Sequence, residues 1–252
     1  STANSIRLRG AKPVFCDIDE STLNISPKEI EKKLTDKTKA IMPVHYGGIG
    51  CDMDRIMDIA KKNKLYVIED AAQGVNAKYK DKYLGSIGHM GAFSFHGTKN
   101  YTCGEGGALL IDKSDEILTE KAEIIRQKGT DREKFLRGEI DSYSWVDKGS
   151  SYSPSDILMA MLLGQLEEMD KITEKRRFIH EYYIEALKDK ASKKDIKLIN
   201  IPKECESNYH IFYLIFSNEM NRNYAIDELN SRGICATTHY VPLHSSKMGN
   251  SL

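Results

Sequence analysis

Short apolar runs alternate with amphipathic segments along the first half of the chain. The apolar runs predict strands, at 13–18, 40–44, 65–68, 91–95 and 108–111. The amphipathic segments predict helices, at 26–34, 52–63 and about 114–128, and a further helix over 1–9 that Gly10 closes. The helix at 26–34 begins with a capping box, Ser26 to Glu29, with Pro27 at its first position. Strands that alternate with helices in this way indicate α/β layering with a mostly parallel sheet.

The pattern changes in the second half of the chain. Residues 129–153 are polar and are typical of a long surface loop, and 155–190 predict one long helix or a broken pair of helices. Further strands are expected at 196–199, 211–216 and 234–238, with a helix over 223–232. We therefore expect three parts: a large unit over 1–153, linking helices over 154–190, and a smaller, antiparallel α/β unit over 191–252.

Composition argues against several classes of function. The chain has 252 residues with 37 basic and 37 acidic side chains, so no net positive charge favours nucleic acid or anionic lipid. No apolar run reaches the roughly 18 residues that a membrane span needs. The five cysteines form no CxxC pair and the seven histidines form no ligand cluster, so no metal site is expected. Scattered cysteines in odd number favour a reducing compartment, and we expect a cytoplasmic protein.

Two polar segments, each directly after an apolar strand, carry the candidate chemistry. Asp70 follows the strand at 65–68, and Lys99 lies in the polar loop after the strand at 91–95. Ligands bind at the carboxyl ends of strands in open α/β sheets. Pyridoxal phosphate chemistry requires a lysine that holds the aldehyde as a Schiff base and a carboxylate that faces the pyridine nitrogen. Taken singly, each residue has a structural alternative: a solvated surface lysine, and a loop or helix-cap aspartate.

The nucleotide-binding glycine loops are poorly supported in this chain. Gly48 and Gly50 are not followed by the third glycine of GxGxxG, and no phosphate-binding P-loop motif occurs. A dinucleotide or ATP is therefore not the expected cofactor.

Three segments together resemble the DegT/StrS family of sugar aminotransferases, which are fold-type-I pyridoxal phosphate enzymes. They are VHYGGIGCDMDRIMDIAKKNKLYVIEDAAQG (44–74), GAFSFHGTKNYTCGEGGALLI (91–111) and THYVPLH (238–244). The resemblance implies an aspartate aminotransferase-like large domain, a smaller C-terminal α/β domain, and pyridoxal 5′-phosphate as cofactor. Within the family, KGTDREKFLRGEIDSYSWVDKGSSYSPSD (128–156) is similar to the branch that aminates dTDP-4-dehydro-6-deoxy-D-glucose for bacterial surface polysaccharide. That branch makes dTDP-4-amino-4,6-dideoxygalactose.

The resemblance implies a role for each of five residues in the first half of the chain. Lys99 would be the Schiff-base lysine, and Asp70 would pair with the protonated pyridine nitrogen. Ala72 would pack against the cofactor ring. Gln73 would bind the phenolic oxygen of the cofactor, and Ser94 would bind its phosphate.

Three further residues are implied in the second half. A residue from the neighbouring subunit normally completes the phosphate site, and in this chain Ser151 occupies that place within Gly149–Tyr152. Many family members have an asparagine there, and the serine hydroxyl has a shorter reach. His239 and Tyr240 would lie near the sugar-nucleotide pocket, although they could equally form a turn before Pro242.

The resemblance also implies partners and leaves two alternatives open. A nucleotide sugar and glutamate would be the substrates, and a homodimer is expected because sites of this family lie between subunits. Family members carry an N-terminal segment before the point where this chain starts and continue beyond THYVPLH, so we expect a chain truncated at both ends. One alternative is therefore a catalytically impaired member that keeps the fold and the dimer surface. The other is a pyridoxal-dependent sugar dehydratase, but those siblings have histidine in place of the lysine.

Overall fold

The computed structural model describes residues 1–112, 114–193 and 196–251. Its helices are α1 (Thr2–Leu8), α2 (Pro27–Lys33), α3 (Met53–Asn63), α4 (Glu116–Arg126), α5 (Arg132–Leu136), α6 (Asp156–Glu167), α7 (Met169–Lys193) and α8 (Glu219–Ser231). Its strands are β1 (Ala40–Ile41), β2 (Tyr66–Asp70), β3 (Lys78–Tyr79), β4 (Lys82–Tyr83), β5 (Met90–Ser94), β6 (Gly107–Ile111), β7 (Ile196–Leu198), β8 (Cys205–Glu206) and β9 (Leu214–Phe216).

The largest sheet has the strand order β1-β2-β5-β6. The pairs β1-β2 and β2-β5 are parallel, which confirms the expected α/β class. β6 runs antiparallel to β5, a direction that an apolar run alone does not encode. In the β2-β5 register Asp70 lies opposite Ala92, so the carboxyl ends of these two strands meet at one edge of the sheet.

The main core lies between α3 and this sheet. Ile56 and Ala60 on one face of α3 are fully buried, and they belong to the same apolar cluster as Ile41 of β1 and Val67 of β2. Asp52 caps α3, because its carboxylate accepts a hydrogen bond from the backbone N–H of Arg55. Burial of one such aliphatic side chain contributes about 1.5–3 kcal/mol, so α3 and the two strands stabilise each other.

The carboxylate of Glu69 in β2 is completely buried. It accepts backbone N–H groups from the loop before β5: Gly85 at 2.8 Å, Ile87 at 2.6 Å and Gly88 at 2.5 Å. His45, in the segment after β1, approaches the same carboxylate with Nε2 at 2.8 Å. Glu69 therefore connects β2 to the two loops on either side of it.

The hydrogen bonds around His45 define its tautomer. The backbone N–H of Cys51 donates to Nδ1 of His45 at 3.1 Å, so Nδ1 carries no proton and Nε2–H donates to Glu69. Burial raises the pKa of Glu69, but the hydrogen bond from His45, followed by the amides of Gly88 and Gly85, brings it below its ordinary value. Glu69 is thus an ionised carboxylate stabilised by four donors.

Several predicted elements differ from the structure. Residues 13–18 form no strand and have only an isolated bridge between Ile18 and Ile25, because no neighbouring strand in the described chain pairs with them. Residues 234–238 are likewise not a strand, and in 211–216 only β9 is paired. The helix predicted at 26–34 is present as α2, but the Ser26 side chain makes no capping hydrogen bond.

The second half follows the prediction more closely. The predicted loop at 129–153 contains the short helix α5, and the predicted helix over 155–190 is a broken pair, α6 and α7. β7 and β9 form the expected antiparallel pair. Positions 194, 195 and 252 of the expected C-terminal unit, and position 113 of the large unit, lie outside the described residues. The three-part division of the chain stays a prediction.

We expect Glu69→Gln to destabilise the fold by about 3 kcal/mol at pH 7, because an amide is a weaker acceptor and presents an N–H to donor groups. The folded-state pKa of Glu69 is lowered, so its stabilisation is complete above the unfolded-state pKa of about 4.3 and is lost as the pH falls through the folded-state pKa. The free energy of unfolding in urea should therefore differ between wild type and variant at pH 7, and this difference should become smaller as the pH is lowered. The exposed Glu31→Gln is the control, and equal stabilities of wild type and E69Q at pH 7 would contradict the role of Glu69.

Candidate active site

The carboxylate of Asp70 is fixed at the end of β2 from two sides. Thr2, at the start of α1, donates its hydroxyl to Oδ2 of Asp70 at 2.5 Å. The backbone N–H of Ala72 donates to Oδ1 at 3.1 Å. The main chain of Asp70 is held as well, because its N–H donates to Pro43 O at 2.8 Å. The carboxylate therefore has a defined orientation and keeps acceptor capacity for a further partner.

Lys99 lies in the loop that follows β5. Its backbone N–H donates to His96 O at 2.9 Å, and Gly97 N–H donates to Gly104 O at 2.8 Å, so the loop is a closed turn. Within the described part of the chain, Nζ of Lys99 has no hydrogen-bond or ion-pair partner. Burial lowers the pKa of Lys99, and the opposing charge of Asp70 does not fully restore it. A half-buried amine of this kind is available as a base and a nucleophile.

Four of the predicted residues share one cleft: Ala72, Gln73, Ser94 and Lys99 line it together. Five residues that sequence reasoning did not single out also line it: Val75, Asn100, Tyr101, Asn208 and His210. The last two come from the segment between β8 and β9. No local pattern marks that segment, because only the tertiary fold brings it to the cleft.

Gln73 is oriented by the turn at 46–48. The backbone N–H of Gly47 donates to Oε1 of Gln73 at 2.6 Å, and the Nε2 group of Gln73 has no acceptor among the described residues. Gly47 has φ of +66°, a conformation that favours glycine. Gln73 thus presents N–H rather than carbonyl to the cleft.

His210 adds a neutral imidazole beside Lys99. Its Nδ1 lies 2.8 Å from Oδ1 of Asn100. Burial lowers the pKa of His210 to about 4, and the charges of Lys99, Arg176 and His239 lower it in the same direction. A neutral histidine with Nδ1–H donated to the amide of Asn100 keeps a lone pair on Nε2.

His239 and Tyr240 are placed differently from each other. Nδ1 of His239 lies 2.7 Å from the hydroxyl of Tyr46, and burial, together with the charge of Lys99, lowers the pKa of His239. The side chain of Tyr240 is 76% exposed. His239 therefore lies within electrostatic range of Lys99, whereas Tyr240 faces solvent.

Ser151 does not join the cleft within this chain. It is exposed and forms an isolated bridge with Gln127 after α4. Its contribution to a phosphate site from a neighbouring subunit stays a prediction.

Residues 1–112, 114–193 and 196–251 contain no group of three His, Cys, Asp or Glu side chains placed to hold a metal ion. None of the helices in these ranges is long and apolar enough to cross a membrane.

Comparison with known proteins places this chain in a family of aminotransferases. The model of the DegT/DnrJ/EryC1/StrS aminotransferase family matches residues 1–251. The spore coat polysaccharide biosynthesis protein SpsC of Bacillus subtilis is 42% identical over 186 residues, covering 73% of this chain and 47% of SpsC. The GDP-perosamine synthase of Escherichia coli is 34% identical over 257 residues, covering 98% of this chain and 65% of that enzyme. The chain thus spans about half to two thirds of these relatives.

A solved structure is similar to this chain over nearly its whole length. Spr1654 of Streptococcus pneumoniae in its PMP form superimposes with a TM-score of 0.90 at 26% identity, and the match covers 99% of this chain and 68% of that one. The match therefore extends over nearly the whole chain, including the strand ends that carry Asp70 and Lys99.

We expect Asp70→Asn to move the titration of Lys99 to lower pH, because the carboxylate charge raises the pKa of Lys99 while burial lowers it. The rate of reductive methylation of Lys99 at each pH, followed by peptide mass spectrometry of the protein without added ligand, measures this titration. The exposed Lys61 is an internal control and should titrate identically in both proteins. An unchanged or raised midpoint for Lys99 in D70N would show that the two charges do not interact.

Proposed function

The chain belongs to the DegT/DnrJ/EryC1/StrS aminotransferase family, and from this premise we propose that it is a pyridoxal phosphate-dependent aminotransferase of nucleotide-linked keto sugars. Its architecture is that of the fold-type-I enzymes. The observation that carries the proposal is the meeting of an oriented Asp70 carboxylate and an unpaired Lys99 amine at the ends of two adjacent parallel strands.

The residues of the cleft, together with Asp70 at the end of β2, fit pyridoxal phosphate. Asp70 keeps acceptor capacity for a pyridinium N–H, and Lys99 has a free Nζ for the aldehyde carbon. Gln73 presents Nε2–H for the phenolic oxygen, and Ser94 supplies a hydroxyl for the phosphate. When bound, the cofactor acts as an electron sink for the substrate carbon that loses its proton.

Each polar residue has a defined task in this proposal. The charge of Asp70 favours the protonated pyridine nitrogen, and Thr2 and the amide of Ala72 hold that carboxylate in place. Lys99 takes the proton from the substrate carbon at Nζ and then delivers it, acting first as base and then as acid. Its lowered pKa suits this double role, since a typical lysine stays protonated at neutral pH.

The finer parts of the proposal concern the substrates and the assembly. We propose dTDP-4-dehydro-6-deoxy-D-glucose as acceptor and glutamate as amino donor, in a homodimer whose second subunit supplies Ser151. The resemblance of 128–156 to that branch of the family supports the acceptor. The names of two relatives, a spore coat polysaccharide protein and a perosamine synthase, support a role in polysaccharide biosynthesis. Lys99 at the reactive position disfavours a dehydratase.

We expect Lys99→Ala to abolish covalent cofactor capture and to lower aminotransfer by at least about 10³-fold, because none of the other described residues that line the cleft has an amine. The wild-type protein with added pyridoxal phosphate should absorb in the near-visible range, and borohydride should fix the cofactor mass on the peptide that contains Lys99. The exposed Lys61→Ala serves as the matched control and should behave as wild type.

The outcomes of this experiment distinguish the aminotransferase assignment from the choice of acceptor sugar. A wild-type protein that gains no absorbance and no added mass, or a K99A variant as active as wild type, would overturn the aminotransferase assignment. Turnover of a GDP-linked keto sugar in preference to the dTDP-linked one would overturn only the acceptor.

A further inference from the structure

The side chain of Asn208 holds the loop that follows Asp70. Asn208 is 1% exposed, and its Nδ2 group donates to Gln73 O and to Val75 O, both at 2.7 Å. Both Nδ2 hydrogens are therefore used on backbone carbonyls of a single short loop. That loop also contains Ala72 and the side chain of Gln73 that lines the cleft.

The main chain of Asn208 holds the loop that contains Lys99. Nδ2 of Asn100 donates to Asn208 O at 2.8 Å, and Asn100 is the residue directly after Lys99. Oδ1 of the same Asn100 lies 2.8 Å from Nδ1 of His210. Asn100 is thus fixed by both atoms of its amide to the segment 208–210.

The segment 207–210 is itself held in a tight conformation. Tyr209 adopts φ of +54°, in the left-handed region, and its N–H donates to the hydroxyl of Ser207 at 3.0 Å. Arg176 of α7 donates from one guanidinium nitrogen to Tyr209 O at 3.3 Å and to His210 O at 3.2 Å. Because of this turn, the side chain and the carbonyl of Asn208 reach two different loops.

A third loop packs against the same side chain. A Cβ on Gly48 would lie 1.9 Å from Oδ1 of Asn208, so the turn at 46–48 approaches to a distance that only glycine permits. That turn also orients Gln73 through Gly47. Among the residues that the structure describes, none donates a hydrogen bond to the buried Oδ1 of Asn208, which costs free energy. Asn208 therefore acts in this structure through its two donors and not through its acceptor.

We propose that Asn208 is a positioning residue of the active site, which sets the spacing between the Asp70–Gln73 loop and Lys99. The inference rests on the proposed function, because the spacing matters only if one ring must engage both loops at once. Without the Asn208 side chain, each loop keeps its own local hydrogen bonds, but the distance between the two loops becomes less defined. The loss is then one of alignment between the bound ring and the Lys99 amine.

Two ligands that differ only at the reactive carbon test this alignment. Pyridoxal 5′-phosphate has the aldehyde, whereas pyridoxine 5′-phosphate has an alcohol in its place and forms no bond with Lys99. The test measures both dissociation constants on cofactor-free protein and divides that of pyridoxine 5′-phosphate by that of pyridoxal 5′-phosphate. This ratio is large when Lys99 reaches the bound ring. We expect this ratio to fall about tenfold in Asn208→Ala, with a smaller fall of about threefold in Asn208→Ser, which keeps one donor.

A control separates alignment from stability. Ile56→Val removes one methylene from the fully buried core under α3 and should leave the ratio within twofold of wild type, although it lowers the urea midpoint. A ratio within twofold of wild type in N208S, or in a folded N208A, would overturn the inference while leaving the aminotransferase assignment intact. Equal affinities of the two ligands for the wild-type protein would overturn the proposed function and the inference together.

Discussion

The buried charge of Glu69 is the constraint on which the arrangement of the site depends. A carboxylate without solvent is stable in a fold only when its lone pairs are satisfied, and here three amides and one imidazole N–H satisfy them. These donors come from the segment after β1 and from the loop before β5. Glu69, the residue just before Asp70, therefore fixes the two segments that flank β2.

Adjacent acids in β2 consequently have opposite roles. Successive side chains of a strand point to opposite faces, so Glu69 enters the interior and Asp70 points to the other face of the sheet. Glu69 has all its partners within the protein, whereas Asp70 has one donor on each oxygen and remains half-exposed. The dipeptide thus joins a buried structural carboxylate directly to the carboxylate of the proposed site.

The sequence was most informative where the determinants are local. The apolar face of α3, with Ile56 and Ala60, and the strands that deliver Asp70 and Lys99 could be predicted because periodicity and strand ends are properties of short segments. The direction of β6, the missing strand at 13–18 and the arrival of Asn208 and His210 at the cleft could not. Each of these depends on which segments become neighbours, and a single chain's pattern carries no record of that.

The hydrogen bond between Asn100 and Asn208 joins residues that are 108 positions apart. Closing so long a loop has an entropic cost, and the stabilising contact forms only once both ends are present. During synthesis the Asp70 and Lys99 loops leave the ribosome well before the turn at 207–210 exists. The separation between the Asp70 and Lys99 loops is therefore fixed only after the later part of the chain has emerged.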